Sequence, residues 1–149
     1  MKLYKSYFLA KLMYLTRALV LFAFVNADTN CFIYDDNYSS WNSAGFTDPI
    51  GFIKFIQQMQ VWIAENNKEA IASSINYPLD NPKIKNKTEF LKNYDIYINN
   101  NVKKALREQD LQNIFRNYQG AMIGNGQVWF RETKLGYKIV AINYKELQM

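Results

Sequence analysis

The chain has 149 residues, a formal charge of +5, one cysteine and no histidine. That length supports one domain around one hydrophobic core, and a single cysteine excludes an intramolecular disulfide. The missing histidine removes the commonest general base near neutral pH, the usual serine and cysteine triads, and the HExxH and Cys/His zinc sites.

The positive charge is concentrated at the N-terminus. Residues 1–27 hold Lys2, Lys5, Lys11 and Arg17 and no acid, which leaves 14 basic and 13 acidic residues from Asp28 onward, a net +1. Nucleic-acid binding needs a concentrated basic surface. Lys83, Lys85 and Lys87 are instead interleaved with polar residues, so nucleic acid is not an expected partner. MKLYKSYFLAKLMYLTR forms a positive n-region, ALVLFAFV an apolar run, and Val25-Asn26-Ala27 a peptidase-type site, the pattern of a signal peptide over 1–27. The expectation is a secreted or periplasmic protein whose only membrane contact is this segment. An uncleaved anchor is the competing reading, although Ala18 to Val25 is shorter than the about 20 residues a span requires. Cys31 follows the polar Asp28-Thr29-Asn30, unlike a lipid-attachment cysteine, and reads as an incidental thiol open at most to an intermolecular bridge.

From Asp28 to about Thr47 the chain is rich in Asp, Asn, Ser and Tyr without a sustained period, which predicts a poorly ordered lead-in. Residues 48–149 then form the single expected domain. Asp48-Pro49 reads as N-cap and first helical position. Phe52, Phe55, Ile56, Met59, Trp62 and Ile63 follow at helical spacing to about Asn66,. Asn67 caps a short second helix, Lys68 to Ser73, before an extended Tyr77-Pro78-Leu79,. After a polar turn region, Thr88 is the expected cap of TEFLKNYDIYI, and Asn99-Asn100-Asn101 reads as a stop before a short helix from Val102 to about Glu108,. DLQNIFRNY fits helix and strand alike. Gln127 to Glu132 and Lys138 to Tyr144 read as strands joined by Lys134-Leu135-Gly136,. Helices first and an antiparallel sheet last define an α+β domain.

YQGAMIGNGQVWF contains Gly120, Gly124 and Gly126. A dinucleotide fingerprint needs G-x-G-x-x-G after a strand and before a helix, and a P-loop needs Gly-Lys-Ser/Thr. Here the spacing is reversed, the lysine is missing, and Val128-Trp129-Phe130 opens a strand. The cluster therefore predicts a tight two-residue Asn125-Gly126 hairpin turn.

The order of elements, with the motifs NYPL, EFLKNYD, NYQGAMIGNGQVWF and KIVAIN, resembles the nuclear transport factor 2-like cone fold, and more narrowly small secreted bacterial proteins of unknown function. The resemblance spans about Phe52 to Tyr144. It implies helices closing one end of a curved antiparallel sheet, with a pocket whose wall would draw on Trp62, Tyr77, Phe90, Tyr94, Phe115, Trp129 and Phe130. The same aromatics at helical spacing equally fit a filled core. Enzymes of that superfamily commonly use an Asp–His pair, and this chain lacks the histidine.

One chemistry survives without histidine. A tyrosine and a carboxyl in an apolar pocket can stabilise an oxyanion, and Tyr94, Asp95 and Tyr97 are the candidate group. Adjacent helical residues face different directions, which weighs against Tyr94 and Asp95 acting together. No metal or cofactor is expected, since Asp35-Asp36 and Asp80 lack the spaced oxygen ligands of a calcium loop. Asn37-Tyr38-Ser39 and Asn86-Lys87-Thr88 match the glycosylation sequon,. The leading expectation is a secreted non-enzymatic domain that binds a small apolar ligand or a protein partner. The alternatives are an envelope immunity or inhibitor protein and a histidine-free isomerase or dehydratase, and exposed sheet edges would favour a homodimer.

Overall fold

A computed structural model of the protein describes residues 38–80 and 82–145. The expected signal peptide, Cys31 and the first part of the expected lead-in lie outside the described residues. Among those described, helices precede a four-stranded antiparallel sheet, the α+β arrangement expected from the sequence. The helices are α1 (Tyr38–Ser43), α2 (Pro49–Ala64), α3 (Lys68–Ser73), α4 (Lys87–Lys92), α5 (Tyr94–Tyr97) and α6 (Asn100–Glu108). The strands are β1 (Phe115–Asn117), β2 (Gly120–Ile123), β3 (Val128–Thr133) and β4 (Gly136–Ile142), paired in chain order.

Local sequence explains most of the boundaries. Asp48 caps α2 by accepting from Gly51 N at 2.9 Å, with Pro49 in the first turn,. Phe52, Ile56, Met59 and Ile63 from the predicted face are buried, joined by Ile53. Asn67 caps α3 at Ala70 N, 3.1 Å. The EFLKNYD segment is two helices rather than one. Asn86, not Thr88, is the cap of α4, while Glu89 reaches back to Lys85 N at 2.8 Å. The asparagine run after it does not only stop a helix. Asn99 starts α6 by accepting from Val102 N at 3.1 Å, so Asn100 and Asn101 become its first turn.

The segment Trp41 to Phe46 corrects the expectation of a lead-in over 28–47. Tyr38–Ser43 is helical, and Trp41, Ala44 and Phe46 are buried core residues. The aromatics supply the reason. Trp41 and Phe46 pack edge-to-face at 5.4 Å, and both reach Phe52 on α2, so long-range burial orders a polar stretch. The Arg116 guanidinium lies 4.3 Å over the Trp41 ring and donates to Ser40 Oγ at 2.8 Å, tying α1 to β1,.

The register of the sheet sets its two faces. Ala121, Phe130 and Ile139 occupy one cross-strand row, and Ile123, Val128 and Ile142 another; all six are buried toward the helices. Side chains alternate along a strand, so the row Phe115, Met122, Trp129 and Ala141 faces the other way. The edge of β4 is covered by the chain after α3, where Ile139 N donates to Ser74 O and Asn76 N to Ile139 O.

The β2–β3 connection is longer than the two-residue turn expected from Asn125-Gly126. Ile123 pairs with Val128, leaving Gly124 to Gln127 as a four-residue loop. Gly124 has φ +66° and Gly126 φ +103°, while Asn125 is not in the left-handed region. Gln127 Oε1 accepts from Asn125 N at 2.6 Å and closes the loop from within. The loop is a sheet corner, not a phosphate cradle, since a strand follows it. Substitution Gly126→Val places a β-branched residue at positive φ and is expected to cost about 1–3 kcal/mol of stability. Denaturant unfolding tests this, and an unchanged midpoint would contradict the loop geometry.

Candidate functional site

The predicted pocket residues divide between the core and the outward face of the sheet. Phe90 and Tyr94 are buried in the core, with rings edge-to-face at 5.7 Å. Phe130 is also fully buried beneath α2, near Phe52 and Phe55. Trp62 packs half-buried against Phe55 at 6.2 Å, and Tyr77 is half-buried at the margin of the same core. Phe115 and Trp129 stand on the opposite face of the sheet. The helices therefore meet the sheet through interlocked aromatic rings where an apolar pocket was expected.

Asp95 is placed outside this core. Its carboxylate is solvent-exposed and bridges Lys68 at 2.7 Å and Lys103 at 3.5 Å. The hydrogen bond from Lys68, reinforced by the two positive charges, holds it below the ordinary aspartate range,. The isomerase reading required Asp95 to face a cavity with its proton held more tightly, and both requirements fail. Tyr94 points inward beside it, as one-residue spacing on a helix dictates. Lys68 Nζ lies 4.7 Å and Lys103 Nζ 5.7 Å from the centre of the Tyr94 ring. The two lysines thus cover the ring from the solvent side while pairing with Asp95. This cluster ties α3, α5 and α6 together, with one carboxylate shared between two ammonium groups.

Tyr94 Oη and Tyr77 Oη are buried without a protein hydrogen-bond partner. Burial pushes the Tyr94 phenol up to about 12, with the Asp95 charge adding to it. Burial, then the Glu69 charge, raises Tyr77 in the same direction. Neither hydroxyl is activated, because desolvation favours the neutral phenol.

Two surface grooves lie among the described residues. The first, of about 480 Å³, lies where α6 ends beside the β2–β3 loop and is lined by amide-bearing side chains including Gln109, Asn113 and Gln127. These side chains are occupied with the fold: Gln109 Oε1 accepts from Gly124 N at 2.8 Å, and its amide donates to Asp110 O and Asn113 O. The second groove, of about 400 Å³, runs along β1 past Gln112, Phe115 and Arg116. Among the described residues no cluster of His, Cys, Asp or Glu suits a metal ion, and no helix is long and apolar enough to cross a membrane.

The second groove leads onto the outward sheet row. Phe115 is 54 % exposed although it sits in a strand. Its ring stands edge-to-face on Trp129 at 6.4 Å, with Met122 between them in the register. The sequence carried a signal for this placement. Val128 and Phe130 are neighbours of Trp129, and period-two alternation forces Trp129 away from the face they share. Compared with protein-family models, curated proteins and solved structures, the chain matches none.

Because Tyr94 Oη has no protein partner, Tyr94→Phe removes a buried polar group without orphaning another. Its stability at pH 7 is expected to equal that of the wild type or exceed it by up to about 1 kcal/mol. The folded-state value lies above the unfolded one, so this group's contribution is complete below the ordinary tyrosine value of 10.0 and is lost as pH rises toward about 12,. Thermal unfolding between those values should fall less steeply for Tyr94→Phe than for the wild type. A steeper fall would contradict the assignment.

Proposed function

We propose that the chain is a secreted or periplasmic, non-catalytic binding domain of the nuclear transport factor 2-like type that engages a protein partner through the outward face of its sheet. The observation that carries this reading is Phe115, more than half exposed on a three-residue edge strand and braced by Trp129. A braced aromatic loses little side-chain freedom on binding, and aromatic anchors dominate interface energies. Met122 and Ala141 extend the apolar row across the sheet. The small-ligand reading loses support because the expected pocket residues are packed against one another. An immunity or inhibitor protein is a special case of partner binding and is compatible with the same surface.

The test is affinity capture from envelope extracts on the immobilised full chain, wild type against Phe115→Asp. Phe115 is exposed, so the substitution should leave the unfolding midpoint almost unchanged. The expected result is a stoichiometric partner whose affinity falls at least about tenfold in the variant, the effect of losing a central anchor. Identical capture by both chains would contradict the surface, and capture of the chain itself would make the partner a second copy.

A further inference from the structure

The ends of the sheet differ sharply in chemistry. In an antiparallel sheet paired in chain order, the β1–β2 and β3–β4 turns lie at one end and the β2–β3 loop at the other,. The first of these turns presents Tyr118, 82 % exposed, and the second presents Leu135, 81 % exposed. These are the two most exposed large hydrophobic side chains among the described residues, and the topology brings them to the same end.

A basic collar surrounds them. Lys134 lies in the second turn, and Arg131 stands directly across from Lys138 on the adjoining strands. Like charges opposite each other on one sheet face are unfavourable. The nearest acid on the strands does not relieve them. Glu132 turns to the other face, where its two oxygens accept from Thr47 N and Thr47 Oγ1 at 2.6 Å. Arg131 donates through Nε to Gln119 O at 2.8 Å, and Lys138 Nζ to Ser73 O at 2.8 Å. Among the described residues both cations donate to carbonyl oxygens and neither forms an ion pair.

The turns are also held in shape. Thr133 Oγ1 accepts from Leu135 N at 3.1 Å and donates to Gly136 O at 2.7 Å, which fixes the tip that carries Leu135. A preordered apolar tip gives up little entropy when it is buried. Two separated projecting side chains form no flat patch for a protein interface, but they suit a fluid apolar layer. Tyrosine favours the membrane–water interface, and lysine and arginine beside it are drawn to anionic headgroups. Neither signal suffices alone, whereas an apolar insertion together with a basic collar gives reversible binding that depends on lipid composition.

We propose that this end of the sheet is a peripheral membrane contact, with Leu135 and Tyr118 entering the interface of an anionic bilayer and Arg131, Lys134 and Lys138 facing its phosphates. The contact is independent of the Phe115 surface and leaves that surface free for a partner.

The test uses the full chain carrying Cys31→Ser and Leu135→Cys, labelled at the new thiol with an environment-sensitive nitrobenzoxadiazole. Vesicles are pure phosphatidylcholine or contain about 30 % phosphatidylserine, to supply the anionic surface. The expected result is a blue-shifted emission, shielded from aqueous quencher, on anionic vesicles only. Adding Arg131→Glu and Lys134→Glu should abolish the shift and weaken the anionic-vesicle response by about tenfold or more. Residues 1–27 are the same in every variant, so the label reports the sheet end and not the basic N-terminus. An unchanged spectrum on anionic vesicles overturns the proposal, whether or not the protein sediments with them. So does an equal shift on neutral vesicles, or a shift that survives charge reversal.

Discussion

The ring of Phe52 is the point on which the helical and sheet portions converge. It contacts Phe46 at 4.5 Å, Tyr137 at 5.5 Å, Trp41 at 5.7 Å and Phe130 at 5.8 Å. These partners come from α1, the segment after it, β3 and β4, so one buried side chain joins elements far apart in sequence. Aromatic pairs at such distances add stabilisation beyond the area they bury. Their volume fills the place where the helices close over the sheet with the side chains that hold it closed. Under the proposed function, binding falls to the outside of the sheet.

Polar groups align these apolar parts. Gln60 on α2 donates its amide to the carbonyls of Leu106, Arg107 and Gln109, satisfying the end of α6 from a neighbouring helix,. Asn99 starts α6 with its side-chain oxygen and donates its amide to Tyr144 O at 2.7 Å, so one residue joins that helix to the chain after β4. Tyr137 Oη donates to Asp48 O at 2.8 Å, anchoring the start of α2 to β4. The Ser74–Asn76 pairing on Ile139 covers one edge of the sheet, whereas the opposite edge is the short β1 with its exposed phenylalanine,.

The parts legible in the sequence were those that local chemistry decides. Asp48-Pro49 and Asn67 cap helices with their own side chains, and Lys134-Leu135 turns a hairpin between paired Thr133 and Gly136. Long-range effects were hidden. Nothing local to Trp41 and Phe46 indicates burial, which depends on rings more than five residues away along α2 and in the sheet. Asn99 looked like a terminator because asparagine both ends and begins helices, and its Tyr144 partner lies 45 residues on. The candidate site residues are divided for a different reason. Grouping residues by aromatic character placed Trp129 and Phe130 on one pocket wall, although alternation sends them to opposite faces. Helical spacing likewise separates Tyr94 from Asp95.

The most direct measurement is a double-mutant cycle between Phe52 and Phe130, using Leu at each position and denaturant unfolding of all four chains. The packed-interior account predicts a coupling of about 0.5–1.5 kcal/mol, the range for aromatic pairs in contact. Additive losses would mean that the two rings do not meet. The helices would then not be sealed to the sheet there, and an internal cavity would again compete with the outer surface as the binding site.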